Sequence, residues 1–279
     1  MPSYYRPATL TDALAVLADT GAVVAAGCTD LFPATDRQEL AGPVLDITGI
    51  SGLRGVSRTQ EGWRLGATTT WSDLLDAELP PAFDMLKQAA AEVGSVQIQN
   101  AGTVAGNLCN ASPAADGVPP LLALDAEVEL TGPEGTRRLP LAGFLTGVRQ
   151  TRRHADELLT AVHVPDLACR GASRFRKLGA RKYLVISIAM VAVRQHVVNG
   201  VVADMALAVG SCSAVAVRLR DLERALIGQP IEGLSDHLTD AGVASCLSPI
   251  SDIRADAPYR AGAATELLRR ALTDLADTS

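Results

Sequence analysis

The chain has 279 residues, of which 48% are hydrophobic, 20% charged and only 4% aromatic, which describes an Ala/Val/Leu-rich globular protein long enough for two domains and excludes a disordered chain. A net charge of −6, spread over intermixed acids and bases without a basic run, excludes a nucleic-acid partner. The longest apolar run, Tyr183 to Val193, stops at Arg194, well short of the roughly 20 residues that cross a bilayer, so it reads as a buried strand and no transmembrane segment is predicted.

In chain order, the opening MPSYYRPATL lacks a charged-then-apolar leader and predicts a cytoplasmic chain. Leu10, Ala13, Leu14, Leu17 and Ala18 then fall at helical spacing behind Thr9 or Thr11 as N-cap, and Gly21 ends the helix. Val23-Val24-Ala25-Ala26 reads as a buried strand, Gly27-Cys28-Thr29-Asp30 as the turn after it and Val44 to Ile47 as a second strand, together a small α/β unit. Trp63 to Ala67 predicts a strand, Trp71 to Ala77 a short helix and Ala82 to Val93 a longer one.

The stretch QIQNAGTVAGNLCNASPAAD, Gln97 to Asp116, is built from small residues and amides, and reads as a binding loop whose backbone can approach a ligand closely. Strands follow at Ala126 to Leu130 and Glu157 to Val164, and Pro165 marks a boundary. Beyond it, Ile186 to Val198 and Val201 to Val209 flank Asn199-Gly200, a type I′ hairpin signal. Helices near Arg218 to Ile227, Ser235 to Ala244 and Ala261 to Ala276 complete a C-terminal unit of antiparallel sheet plus helices.

Five scattered cysteines (Cys28, Cys109, Cys169, Cys212, Cys246) without a CxxC pair, and four histidines without HxxxH spacing, predict reduced thiols and no metal or iron–sulfur ligation by this chain. Two stretches could carry a ligand. The turn Ala26 to Asp30 has the small residues and the Thr29 hydroxyl of a pyrophosphate cradle, or is simply a polar turn with local hydrogen bonds. Thr103, Gly106, Asn107, Asn110, Ser112 and Asp116 offer what ribityl hydroxyls and a flavin ring edge require, or form an Asn/Ser-rich surface loop.

Four stretches spanning residues 5 to 272 jointly resemble the FAD-binding subunits and domains of xanthine dehydrogenase, carbon monoxide dehydrogenase and related molybdenum hydroxylases. They are YRPATLTDALAVLAD followed by AAGCTDL; QIQNAGTVAGNLCNASPAADGVPPLLALDAEVEL; FRKLGARKYLVISIAMVAV; and SDIRADAPYR followed by ELLRRAL. The resemblance implies an α+β fold: a two-part FAD-binding domain over residues 1–168, divided near residue 55 into a small α/β and a mixed α+β unit, then a C-terminal flavoprotein domain over 169–279.

It further implies that Gly27, Cys28, Thr29 and Asp30 hold the FAD diphosphate and that Thr103, Gly106 and Asn107 flank the diphosphate and flavin, with Val24, Ala25, Ala26, Leu31, Ala105 and Ser112 also among the cofactor-binding residues. Asp116 would take the ribityl side, Lys177 the pyrimidine end and Leu158 a packing position near adenine or ring. The implied function is electron transfer from the 2Fe–2S clusters of a small partner subunit to NAD, a quinone or oxygen. Hydroxylation would occur on a molybdopterin-binding large subunit.

Two departures stand out. Cys28 replaces the second glycine of an AGG pattern and Ala105 the first of a GGN pattern, and a positive φ at position 28 would strain the cysteine. A stand-alone flavoenzyme and a scaffold that has lost FAD through these changes are the rival expectations. Trp63 and Trp71 are expected in the core, and Cys28 and Cys109 as packing residues.

Overall fold

The computed structural model describes residues 3–36 and 40–277. The first unit comprises β1 (Tyr4–Tyr5), α1 (Leu10–Thr20), β2 (Val23–Ala25) and β3 (Val44–Asp46), its strands parallel in the order β1-β3-β2. Thr9 caps α1 by accepting the Asp12 N–H, and Gly21, at φ 59, closes it in the left-handed conformation. Ala13 and Leu17 bury one face of α1 against Leu45, Ile47 and Leu158. The strand at 23–26 departs from expectation. It is a sheet edge in which Ala25 is buried but Val23 is exposed, because one side of it borders open space.

The second unit contains β4 (Val56–Arg58), β5 (Gly62–Gly66), α2 (Trp71–Asp76), α3 (Asp84–Glu92), α4 (Val96–Ala101), α5 (Val104–Asn110), α6 (Val118–Ala123), β6 (Glu127–Gly132), β7 (Gly135–Pro140), α7 (Leu141–Phe144), β8 (Leu145–Gly147), β9 (Gln150–Thr151) and β10 (Leu158–Pro165). Its antiparallel sheet runs β4-β5-β10-β6-β7, so β10, buried along nearly its whole length, is the central strand. The small-residue stretch is not an open loop, as expected, but largely two short helices, α4 and α5. Val104, Ala105 and Leu108 turn inward and anchor it in the core, while Gly106 between them is exposed.

The third unit has β11 (Ala172–Leu178), β12 (Ala189–Val198), β13 (Val201–Gly210) and β14 (Val217–Arg218) in one antiparallel sheet, with α8 (Arg220–Leu226), α9 (Asp240–Ala244) and α10 (Ala257–Ala276). Asn199 and Gly200, at φ 52 and 77, form the predicted turn. On β12, Met190 and Ala192 pack towards α3 and α6, whereas Ala189, Val191 and Val193 pack towards α10. Both faces of this strand are covered, which explains its unbroken apolar text. The run expected as strand from Tyr183 begins only at Ala189: Tyr183, Leu184 and Ile186 are exposed in the connection before it. Buried Arg194 and Arg218 donate to the Ala123 and Leu122 carbonyls at the end of α6, stapling the second unit to the third.

Candidate functional site

One cavity of about 1180 Å³ lies where the three units meet, slightly above the usual range of roughly 300–1,000 Å³ for a small-molecule site. The turn after β2 meets the junction between α4 and α5. A Cβ on Gly27 would stand 1.9 Å from the Ala101 carbonyl oxygen, so only glycine permits this approach of the two backbones. Thr103, the N-cap of α5, accepts the Gly106 N–H at 3.1 Å, and Val104 N–H donates to the Thr69 carbonyl at 2.9 Å. The junction is therefore tied to the second unit as well as to the first.

Val24, Ala26, Gly27, Cys28, Thr29, Asp30 and Leu31 line the cavity, as do Thr103, Ala105, Gly106, Asn107, Ser112, Asp116, Leu158 and Lys177. Ala25 alone of the predicted residues is off this wall, buried within the first unit. Among the described residues no hydrogen bond within the chain engages the backbone N–H groups of residues 27–31, and the buried Asn107 Oδ1 has no partner. A wall with unmatched donors and an unmatched acceptor suits a ligand rich in phosphate and polar ring edges.

The two departures differ in consequence. Ala105 lies within α5, where alanine is a better helix former than glycine. Cys28 has φ 57, a left-handed backbone that favours glycine, and its Sγ lies 3.5 Å from the Ala26 carbonyl. Burial pushes the Cys28 thiol up, away from the reactive thiolate. Cys109 also borders the cavity, and burial lifts its thiol to about 11, in keeping with packing. Trp71 is 1% exposed and closes the wall behind Gly102 and Gly117.

At another part of the wall Lys177 Nζ meets Asp116 Oδ2 at 2.6 Å, with side-chain exposures of only 5% and 9%. Ser187 donates to the other carboxylate oxygen at 2.6 Å, and Lys177 also reaches the Glu92 carbonyl at 3.5 Å. Lys177 is therefore a built, compensated cation. Burial pushes the Asp116 carboxyl up, while Lys177 and Ser187 pull it down.

Sequence reading missed Arg149 and Arg153, both on the cavity wall. Arg149, at φ 59, donates from its N–H to the Ala111 carbonyl at 2.9 Å and from its guanidinium to both the Asn110 carbonyl and side chain, bracing the end of α5. Arg153 donates to the Glu157 carbonyl at 2.7 Å. Neither belongs to a glycine-containing motif, and nothing in their local text marks them. All five cysteines are free. Among the described residues no His/Cys/Asp/Glu group could hold a metal ion, and no helix is long and apolar enough to cross a membrane.

A family model described as the FAD binding domain in molybdopterin dehydrogenase matches residues 1–167, and one described as the CO dehydrogenase flavoprotein C-terminal domain matches residues 173–275. The chain belongs to this family, the FAD-binding medium subunits of molybdenum hydroxylases, which are oxidoreductases. It is similar to the xanthine dehydrogenase FAD-binding subunit of Escherichia coli O157:H7, 31% identical over 264 residues that cover 92% of this chain and 90% of the relative. The carbon monoxide dehydrogenase medium chain of Hydrogenophaga pseudoflava is 28% identical over 275 residues, covering 96% and 95%. The solved structure of reconstituted CO dehydrogenase from Oligotropha carboxidovorans superposes with a TM-score of 0.91 at 26% identity, covering 100% of this chain and 99% of that one.

Proposed function

We propose that this chain carries electrons in a cytoplasmic hetero-oligomer, from the 2Fe–2S clusters of a small subunit to NAD, a quinone or oxygen. A molybdopterin-binding large subunit would hydroxylate the substrate. Residues 1–168 would form the FAD-binding domain and 169–279 the C-terminal flavoprotein domain. The observation that carries this reading is the single cavity in which both glycine-containing segments present unmatched polar groups.

When bound, FAD supplies the capacity to accept electrons singly and deliver them in pairs. The chain's own residues hold and shield it. Backbone N–H groups of residues 27–31 and the Thr29 hydroxyl would bind the diphosphate; Val24, Ala26, Cys28, Asp30 and Leu31 shape that turn's wall. Thr103, Ala105, Gly106, Asn107 and Ser112 would lie against the diphosphate and flavin, with Asn107 Oδ1 gaining the partner it lacks. Asp116 would take the ribityl side and Lys177 the pyrimidine end, while Leu158 excludes water from the apolar wall. Ala25 supports from behind.

The test is purification of the chain with and without its coexpressed neighbours, each followed by an absorption spectrum and by bleaching with reductant. Flavin in the isolated chain, with substrate-dependent activity only in the complex, is the expected result; absence of flavin in every preparation refutes the reading. Full activity of the isolated chain would instead identify a stand-alone flavoenzyme. Gly106→Asp should abolish FAD occupancy in a folded chain, because a Cβ there already lies 2.7 Å from Thr103 Oγ1 and the carboxylate adds charge beside the diphosphate site.

A further inference from the structure

The C-terminal stretch SDIRADAPYR lies outside the cavity wall, yet its last residue, Arg260, is a cation only 3% exposed in the first turn of α10. Burying a guanidinium costs several kcal/mol unless its donors are met. Two of its three nitrogens are met. Nη1 donates to the Ile188 carbonyl at 2.6 Å and to the Ser211 carbonyl at 2.9 Å, and Nη2 donates to Asp252 Oδ1 at 2.7 Å. Asp252 is itself fixed, because the same oxygen accepts the Arg254 N–H at 2.8 Å and the Ala255 N–H at 3.3 Å. Asp256 caps α10 by accepting the Tyr259 N–H at 2.8 Å, so Arg260 stands on a well-defined first turn.

Both carbonyls belong to backbone that carries the site. Ile188 follows Ser187, whose hydroxyl donates to Asp116 Oδ1 at 2.6 Å, and the Ile188 N–H donates to the Leu178 carbonyl at 2.8 Å, one residue beyond Lys177. Ser211, at φ 62, donates its N–H to the Pro113 carbonyl at 3.0 Å, in the stretch that ends at Asp116. One nitrogen of Arg260 therefore ties the start of β12 to the end of β13, and the two tied points reach Asp116 from different sides. A plain bolt between two strands needs no charge, since apolar side chains fill such a space with less desolvation. What a guanidinium adds is direction: its planar fork fixes where both carbonyls stand relative to Asp252.

We propose that Arg260, anchored by Asp252, is a positioning residue of the cofactor site. It does not line the cavity, but it sets where Ser187 and the segment 112–116 hold Asp116, and so where Lys177 stands. The proposal rests on the reading of that cavity as the flavin site. Arg260 reaches the Asp116–Lys177 pair through Ser187 and Pro113, so its effect on the cofactor depends on those links. A general contribution to folding has no such dependence.

The test uses the full chain and reads three quantities: FAD affinity by fluorescence titration, visible circular dichroism of the bound flavin, and the Tm of the FAD-free form. Arg260→Lys keeps the charge but cannot fork to both carbonyls and Asp252, and Asp252→Asn keeps an acceptor at a partly exposed position. Each is expected to bind FAD roughly three- to tenfold more weakly, the range of one lost hydrogen bond, with an altered dichroism spectrum. Asp252→Asn combined with Ser187→Ala should weaken binding by less than the product of the single effects, because one link through which Asp252 acts is already cut. Arg269→Met removes two bonds from α10 to the Leu238 carbonyl, away from the cavity, and should lower Tm while leaving FAD affinity and dichroism unchanged. FAD affinity within about twofold of wild type in both Arg260→Lys and Asp252→Asn overturns the proposal, whatever their Tm. So do single effects that multiply fully in the double variant, or an equal loss of affinity in Arg269→Met. A wild-type chain that takes up no FAD overturns the cavity reading itself, and this proposal with it.

Discussion

Gly27→Ala adds one methyl group at the point where the two binding segments touch. Gly27 has no positive φ, so alanine is conformationally allowed and any effect comes from space. The added Cβ would stand 1.9 Å from the Ala101 carbonyl oxygen, 2.7 Å from its carbon and 2.9 Å from Gly102 Cα, all backbone that cannot rotate away. Reaching ordinary contact at 3.4 Å requires the turn and the α4–α5 junction to separate by about 1.5 Å. Overpacking of this kind costs about 1–3 kcal/mol. If the strain falls on the ligand-bound state, FAD binds about 5- to 150-fold more weakly. The assay is FAD titration of the deflavinated full chain, read by flavin fluorescence, beside thermal unfolding of the same preparation. Wild-type affinity together with an unchanged Tm would refute the argument that this backbone contact shapes the site.

Cys28→Gly should act in the opposite sense. Relief of the left-handed backbone, worth about 1–2 kcal/mol, is partly offset by glycine's greater unfolded-state entropy, leaving a gain of up to about 1 kcal/mol and a Tm rise of roughly 2–4 °C in a thermal scan. Lys177→Met strands the buried Asp116 carboxylate and should cost about 3–5 kcal/mol in urea unfolding, with Lys177→Met/Asp116→Leu recovering much of it. Because Asp116 without its lysine has a raised folded pKa, the single variant's deficit should grow as pH rises above the unfolded carboxyl value; a deficit equal at pH 5 and pH 8 would count against this. Arg137 holds the Glu157 carboxyl down to about 2 from an ordinary 4.5, so this pair's contribution is fully present above about 4.5 and lost as pH falls through about 2. Arg137→Met should therefore cost about 1–2 kcal/mol at pH 7, a figure discounted because Arg137 is 40% exposed, with the cost shrinking as pH falls from about 4.5 towards 2, as read by denaturant unfolding across that range.

Local chemistry decided much of this molecule. Thr9 and Gly21 bound α1, Asn199-Gly200 turns β12 into β13, and the small-residue segment lies on a cavity because it has too little apolar bulk to bury itself. Long-range resemblance carried Lys177, which in local text is one cation among many. Tertiary structure alone decided the rest. It showed that a small-residue stretch becomes two helices once Val104 and Leu108 find a core, and that Val23 and Tyr183 are exposed despite apolar neighbours, because burial depends on which face another unit covers. It also placed Arg149 against α5 and Asp116 against Lys177, pairs separated in sequence by 39 and 61 residues that no local periodicity connects. The turn at Gly27 illustrates the division: sequence supplies the glycine, but the reason for it is the Ala101 carbonyl, brought there by folding of the second unit against the first.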